Sequence, residues 1–325
     1  MPCYEPLTAY RHADPSKVTK KGKRKLTFNR SKGFVDAPIK LPCGQCIGCK
    51  LERSRQWAIR CAHEAQLYQN NCFITLTYRD DDLPEGGTLV PRDWTLFLKK
   101  LRKQFQGLEP VLRVVKGVEK TTFPIRFFAC GEYGEKKLRP HYHACLFNFD
   151  FPDKRLHKVE RDQSLYTSES LDKIWGNGFA VIGSVTFESA AYVARYITKK
   201  ITGEQANGEY ERFNIETGEI HTVEPEFVRM SRRPGLAADW YKRYRGDVYP
   251  SDSIVLRGRG KMRPPKYYDT LLEREDEAAF GAIKRGRVRQ AMKHADNNTP
   301  DRLKVRREIQ EIKYGRLVRG LEQEL

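Results

Sequence analysis

Apolar positions along the chain recur with two different periods, and their order predicts an α+β fold. Over residues 92–105, Trp94, Phe97, Leu98, Leu101 and Phe105 fall three or four apart, the spacing of an amphipathic helix with Lys99, Arg102 and Lys103 around it. Residues 50–69 repeat that pattern, with Trp57, Cys61, Ala65 and Tyr68 on one face. From Phe73 to Tyr78 the period changes to two: Ile74 and Leu76 face one way, Thr75 and Thr77 the other. A second β-prone run, Arg126–Cys130, leads into Gly131–Glu135, and a third follows at Arg139–Phe147 behind a proline. The glycine-containing turn between them predicts an antiparallel hairpin. Trp175–Gly178 is a turn, Phe179–Val185 a strand, and residues 188–201 a helix with Ser189 as its cap. Hairpin-connected strands interleaved with helices make a mostly antiparallel sheet layered by helices.

The remaining stretches are less regular. Residues 80–87 read as an acidic loop without the spacing of a calcium-binding loop. Residues 203–222 are a linker or a β-hairpin, and from 223 onward the chain is basic, interrupted by prolines and then helical. The organisation expected is therefore a basic arm, cysteine-rich segment and helix (1–70), a core (71–202), and a linker with a basic C-terminal region (203–325).

Charge narrows the function. With 60 Lys and Arg against 42 Asp and Glu, the formal charge is +18, as a nucleic-acid-binding surface requires, although membranes and acidic partners also attract basic proteins. No apolar run approaches the ~18 residues of a membrane span, and Met1-Pro2-Cys3-Tyr4 lacks the pattern of a signal peptide, so an intracellular protein is expected. Residues 11–32 carry nine Lys and Arg against Asp14, reading as a solvated basic arm. Arg257, Arg259, Lys261, Arg263 and Lys266, with Gly258 and Gly260 between them, form either a phosphate-gripping loop or an ordinary solvated one. No Gly-x-x-x-x-Gly-Lys-Ser/Thr sequence occurs, so unwinding of duplex DNA would fall to another protein.

Eight cysteines in a chain without export features point to metal rather than disulfides. Cys43-x-x-Cys46-x-x-Cys49 gathers three thiols, one short of a tetrahedral zinc site, with Cys61 and His63 as nearby candidates for the fourth ligand. An iron–sulfur cluster fits this spacing less well.

Two further patterns carry chemistry. On a strand, His141 and His143 share a face while Tyr142 and Leu146 enter the opposite layer; two imidazoles side by side are half of a metal site, or two half-buried histidines with local partners. The expected hairpin brings Glu132 near them, with Glu135 as the alternative carboxylate. On the helix, Tyr192 and Tyr196 lie one turn apart and Lys199 and Lys200 continue the same stripe.

Together these residues resemble the HUH superfamily of single-strand DNA endonucleases, in which two histidines flank a bulky residue on a strand and one or two tyrosines on a later helix attack DNA. His141-Tyr142-His143, Tyr192 with Tyr196, and Tyr196-Ile197-Thr198-Lys199 match those elements. Leu41–Cys49, Phe73–Tyr78, Met230–Gly235 and Arg263–Tyr268, in that order, resemble the replication initiators of gokushovirus-type microviruses. The resemblance implies a five-stranded palm, and a Mg2+ or Mn2+ ion held by His141, His143 and Glu132. It implies Tyr192 and Tyr196 as nucleophiles, Lys199 as their partner, and Cys3 as the fourth ligand of a Zn2+ shared with Cys43, Cys46 and Cys49. Arg195, Lys200, Arg257, Arg259, Lys261 and Arg263 would contact DNA. The activity implied is rolling-circle initiation: nicking single-stranded DNA at a viral origin, a 5′-phosphotyrosine link, a free 3′ hydroxyl for a host polymerase, and rejoining into circles. A host helicase and the bacterial cytoplasm follow from that role, and no membrane is involved. Free tyrosine, with a pKa of about 10, would need cationic help from Arg195, Lys199 or Lys200. The competing class is a zinc-knuckle single-stranded DNA-binding or packaging protein, which would explain the charge and cysteines but not the histidines with the tyrosines. A histidine-triad phosphoesterase would need a third histidine where Cys145 stands.

Overall fold

The N-terminal segment, expected to be a solvated arm, folds back on itself into a small sheet. β1 (Leu7–Arg11), β2 (Leu26–Thr27) and β3 (Ile39–Leu41) pair antiparallel in the order β2-β1-β3. Strands this short and polar give little periodicity, so the sheet escapes a reading by pattern. The computed structural model describes residues 3–19, 22–115, 117–134, 138–160, 163–199, 208, 210–213, 218–256, 258 and 260–316, with 114, 115, 160 and 195–199 described by their backbone alone. Two compact units emerge, one built from Met1–Glu52 with Arg287–Gly320 and the other around Arg53–Gly286. In the first, the C-terminal helix Pro300–Gly315 meets the N-terminus through an Arg307–Glu5 ion pair, and the Arg306 guanidinium lies 5.9 Å from the Tyr4 ring centroid.

The helix α1 (Ile47–Ala65) leads to β4 (Asn71–Thr77), α2 (Pro91–Gln104) and a separate hairpin of β5 (Val111–Val115) and β6 (Val118–Thr122). Then follow β7 (Arg126–Tyr133), β8 (Pro140–Phe147), β9 (Arg155–Glu160), β10 (Gln163–Thr167), α3 (Glu169–Trp175), β11 (Ala180–Gly183) and α4 (Phe187–Lys199). A small hairpin of β12 (Glu211–Phe213) and β13 (Ile220–Thr222) precedes β14 (Phe227–Met230). The main sheet has seven antiparallel strands in the order β14-β7-β8-β4-β11-β10-β9. Five were expected. The β9–β10 hairpin lengthens the sheet, and its Leu156 and Val159 are 60% and 63% exposed, so it lacks the buried apolar alternation that marks β4 and β8.

The sheet separates two cores. On one side Ile74, Leu76, Tyr142, Ala144 and Leu146 pack with Trp94, Phe97 and Leu101 of α2 and Leu171, Ile174 and Trp175 of α3. On the other, Phe73, Phe128, Cys130 and Cys145 pack with Ala190, Tyr192, Val193 and Ala194 of α4 and Cys61 of α1. α4 starts with a reciprocal cap that differs from the one expected. Thr186 Oγ1 accepts from the Ser189 N–H at 3.0 Å, and Ser189 Oγ accepts from the Thr186 N–H at 2.8 Å; Thr186 is the cap and Ser189 its partner three residues on.

A third core joins Ile59 of α1 to α5 (Ala238–Val248), the β15 (Ile254–Leu256) and β16 (Gly260–Met262) hairpin and α6 (Lys266–Glu275). Two motifs singled out in the sequence serve here as scaffolding. Pro234 O accepts from Arg126, Leu236 O from Arg60, and the Ala237 N–H donates to Glu64. A Cβ on Gly235 would come 2.5 Å from Tyr267 Oη, so a larger residue there would have to displace the Tyr267 ring. Arg263 O accepts from Arg55 at 2.9 Å, and the Lys266 N–H donates to Gln56.

Candidate active site

Strand register alone assembles the histidine cluster. On β8, His141 lies opposite Glu132 of β7 and Thr77 of β4, and His143 lies opposite Cys130 and Thr75. Directly paired residues project from the same face of an antiparallel sheet, so the hairpin brings Glu132 beside both imidazoles. His143 Nε2 is 2.7 Å from Glu132 Oε1, and His143 Nδ1 is 2.9 Å from Thr75 Oγ1. Both nitrogens of this ring are therefore engaged, which fixes its orientation. The His141 ring lies parallel to that of His143, with centroids 6.3 Å apart. Glu132, His141 and His143 are all buried.

Tyr192 reaches this row from α4. Its ring stands edge-on to His143 at 5.1 Å between centroids, and its hydroxyl lies 3.5 Å from Glu132 Oε1. Tyr196 follows one turn later on the same continuous helix, with Arg195 and Lys199 on that helix too. The side chains of Arg195, Tyr196 and Lys199 lie outside the described residues, as do Glu135, Lys200, Arg257 and Arg259. Lys261 and Arg263 are exposed, on β16 and in the turn that follows it.

A separate cluster forms in the N-terminal unit. The β1–β3 register pairs Leu7 with Leu41, which carries Cys3 to the loop holding Cys43. Ligand atoms of Cys3, Cys43, Cys46 and Cys49 all lie within 4.8 Å of one another, and the four could hold a metal ion such as zinc. Backbone N–H groups of Tyr4, Cys43 and Cys46 donate to their sulfurs at 3.3 Å. Gly44, at φ +80°, makes the turn between the first two cysteines of the loop in a conformation suited to glycine. Burial pushes the Cys43 and Cys49 thiols up, whereas at Cys46 hydrogen bonds from Tyr4 and its cysteine neighbours outweigh burial and bring the thiol down to about 7. Cys61 and His63, the nearby alternatives, lie elsewhere. Cys61 is in the core beneath α4, and His63 bonds Tyr268 at 2.7 Å and stacks on Trp240. Among the described residues no other group of His, Cys, Asp and Glu draws together as tightly, so Glu132, His141 and His143 share a face without converging to that degree.

A family model described as replication-associated protein ORF2/G2P matches residues 71–201, from the start of β4 past the end of α4. Over 305 residues the chain is 30% identical to the replication-associated protein ORF2 of Spiroplasma virus 4, covering 90% of this chain and 87% of that one. The chain belongs to the replication-associated protein family of microviruses. It is also 33% identical to the replication-associated protein VP4 of Bdellovibrio phage phiMH2K over 71% of its length, and 30% identical to the replication-associated protein ORF4 of Chlamydia phage 1 over 72%. No solved structure matches.

In this replication-associated protein, the sequence reading missed Thr75 as a partner of His143. Its signal was present: Thr75 sits between Ile74 and Leu76 in a buried strand, and a buried threonine there needs a polar neighbour. The matched span holds every strand and helix that supplies the histidine row and Tyr192. No helix among the described residues is long and apolar enough to cross a membrane.

Proposed function

We propose that this protein is a rolling-circle replication initiator. It nicks single-stranded DNA at a viral origin by tyrosine attack, keeps the 5′ end as a phosphotyrosine and later rejoins the DNA into a circle. The observation that carries this reading is the contact chain Tyr192–Glu132–His143 on the face shared with His141. A tyrosine gives up its hydroxyl proton as its oxygen bonds to phosphorus, the bond to the 3′ oxygen breaks, and that oxygen takes up a proton and leaves as a hydroxyl.

Two imidazole nitrogens and one carboxylate are a donor set suited to a divalent ion such as Mg2+ or Mn2+, and Glu132, His141 and His143 would hold it. Such an ion, when bound, neutralises charge on the non-bridging phosphate oxygens. Thr75 holds the His143 ring through Nδ1 and leaves Nε2 turned toward the carboxylate. Glu132 orients the Tyr192 hydroxyl. Tyr196 serves as the second nucleophile; Arg195, Lys199 and Lys200 stabilise phenolate and phosphate charge. Arg257, Arg259, Lys261 and Arg263 add phosphate contacts.

Residues 71–202 are the endonuclease core on this reading, and the four cysteines hold a structural zinc. The protein works in the cytoplasm of a bacterial host with that host's helicase and polymerase, consistent with the absence of a P-loop motif from the sequence.

Incubation with origin-containing single-stranded DNA and Mg2+ or Mn2+ should give a covalent protein–DNA adduct that survives denaturation, mapped by mass spectrometry to Tyr192 or Tyr196. The second reading, a zinc-knuckle DNA-binding or packaging protein, is favoured by the cysteine cluster alone and gives no adduct.

A further inference from the structure

The sheet face that carries the histidines continues past them, and beyond Thr77 it presents an exposed aromatic ring. Phe179 exchanges two backbone hydrogen bonds with Thr77, at 2.9 and 3.1 Å, and Thr77 lies opposite His141. Glu132, His141, Thr77 and Phe179 therefore form one row across four strands on one face of the sheet. Two inter-strand spacings put Phe179 roughly 10 Å from His141 along that row. The first three members are buried, but Phe179 is 69% exposed. α4 packs mainly against β14, β7 and the histidine strand β8, and its Tyr192 also meets Phe73 of β4.

The open half has a definite chemistry. Val181 lies opposite Thr75 and so shares the face, half-buried. Leu165 of β10 belongs to it too, because a Cβ on Gly183 would sit 3.7 Å from both Leu165 and Phe73. On the outer strand, Lys158 pairs with Leu165 and Arg155 with Thr167, which places two basic residues along the far rim. An aromatic ring, two aliphatic side chains and a basic border on one sheet face suit unpaired nucleotides, whose bases stack while their phosphates meet cations. They suit a protein partner less well, since the apolar area is small and its border is charged.

We propose that Phe179 is a stacking platform for a base of the single-stranded DNA, flanking the phosphate addressed at the histidine row, with Arg155 and Lys158 holding the backbone that runs on from it. Phe179 is thus a positioning residue, and the assignment rests on the nicking function proposed above. It makes the path of the strand run from α4 across β4 and β11 toward β9.

The test is equilibrium binding of a fluorescent single-stranded oligonucleotide without divalent metal, paired with adduct formation in its presence. Phe179→Ala should weaken binding roughly tenfold, the size of one base–aromatic stack. Phe179→Tyr and Phe179→Trp should restore it, and the new indole of Phe179→Trp should be quenched on binding. The dependence on salt should stay as in the wild type, because stacking releases no counterions. Circular dichroism checks that each variant is folded. Equal affinity of wild type and Phe179→Ala, or loss of affinity in all three variants alike, overturns the stacking role. So does a change in self-association with unchanged DNA affinity. A wild type that forms no adduct, yet shows the expected affinity pattern, sinks the nicking function and leaves the platform standing.

Discussion

Glu132 Oε1 and His143 Nε2 meet at 2.7 Å inside a sheet face where both side chains are buried. The other ring nitrogen of His143 is held by Thr75 Oγ1 at 2.9 Å. Replacing Thr75 with Val keeps the shape and removes that hydrogen bond, so the ring loses the partner that orients it from its Nδ1 side. Nicking should slow by roughly 10- to 100-fold, the usual effect of losing an orienting partner, while affinity for single-stranded DNA stays unchanged. His143→Ala should abolish nicking. Single-turnover cleavage measures both, and a normal rate in Thr75→Val removes Thr75 from the site.

The cysteine cluster predicts a structural metal. Protein purified without chelator should carry zinc, and its removal, or Cys46→Ser, should lower the melting temperature before it alters cleavage by what remains folded. The deprotonation needed for binding is already favoured at Cys46, whose thiol is brought down to about 7. Metal analysis that finds no zinc counts against the assignment. Gly44→Ala should also destabilise this unit, by about 1 kcal/mol, because φ is +80° there.

A buried ion pair ties α1 to β7. Arg126 and Glu64 side chains are 5% and 2% exposed, and Glu64 also accepts from the Ala237 N–H. Removing one partner strands a charge in the core, so Arg126→Met should cost about 3–5 kcal/mol in denaturant unfolding. Adding Glu64→Gln should recover part of that loss, because the unpaired charge is gone. A double variant no more stable than Arg126→Met would mean that the charge itself is not what costs.

Acid should unfold the second unit through His63. Burial lowers its pKa from 6.5 to about 3, and it sits bonded to Tyr268 and stacked on Trp240. The unfolded chain takes up a proton more readily than the folded one. The contribution of neutral His63 is therefore complete above pH 6.5 and declines as pH falls toward 3, by up to about 1.4 kcal/mol for each pH unit. His63→Phe keeps the stack but leaves the Tyr268 hydroxyl without this partner. It should be less stable near neutrality and show a shallower loss between pH 6 and 4, a window drawn from about those two pKa values. Parallel acid slopes in urea melts of the two proteins would rule His63 out.

What the sequence conveys depends on whether burial leaves a period in it. β4, β7 and β8 are covered on both sides, so their apolar runs and the turn between β7 and β8 are legible, and with them the approach of Glu132 to the histidines. The β9–β10 hairpin and the N-terminal sheet expose much of their surface and carry no such signal. Cys3 joins its partners across 40 residues of chain through the β1–β3 register, which no local spacing reveals. Phe179 reads as an ordinary strand residue, and only its place just before β11, paired with Thr77 and 69% exposed, shows that its ring is left in solvent.

The two tyrosines can be separated by removing one oxygen at a time. Tyr192 is 4% exposed, and its ring packs edge-on against His143 and Phe73. Tyr192→Phe keeps both ring contacts and loses only the hydroxyl beside Glu132, so folding should survive. If Tyr192 and Tyr196 are both nucleophiles, each single Phe variant should still form an adduct through the other tyrosine. Release of closed circles should fail in both, because a second transfer has no acceptor, and the double variant should form no adduct. These outcomes are read on denaturing gels with origin DNA and by mass spectrometry of the linked peptide. A Tyr192→Phe protein that nicks and closes circles at the wild-type rate would make Tyr192 a packing residue, and the chemistry would then belong to Tyr196 alone.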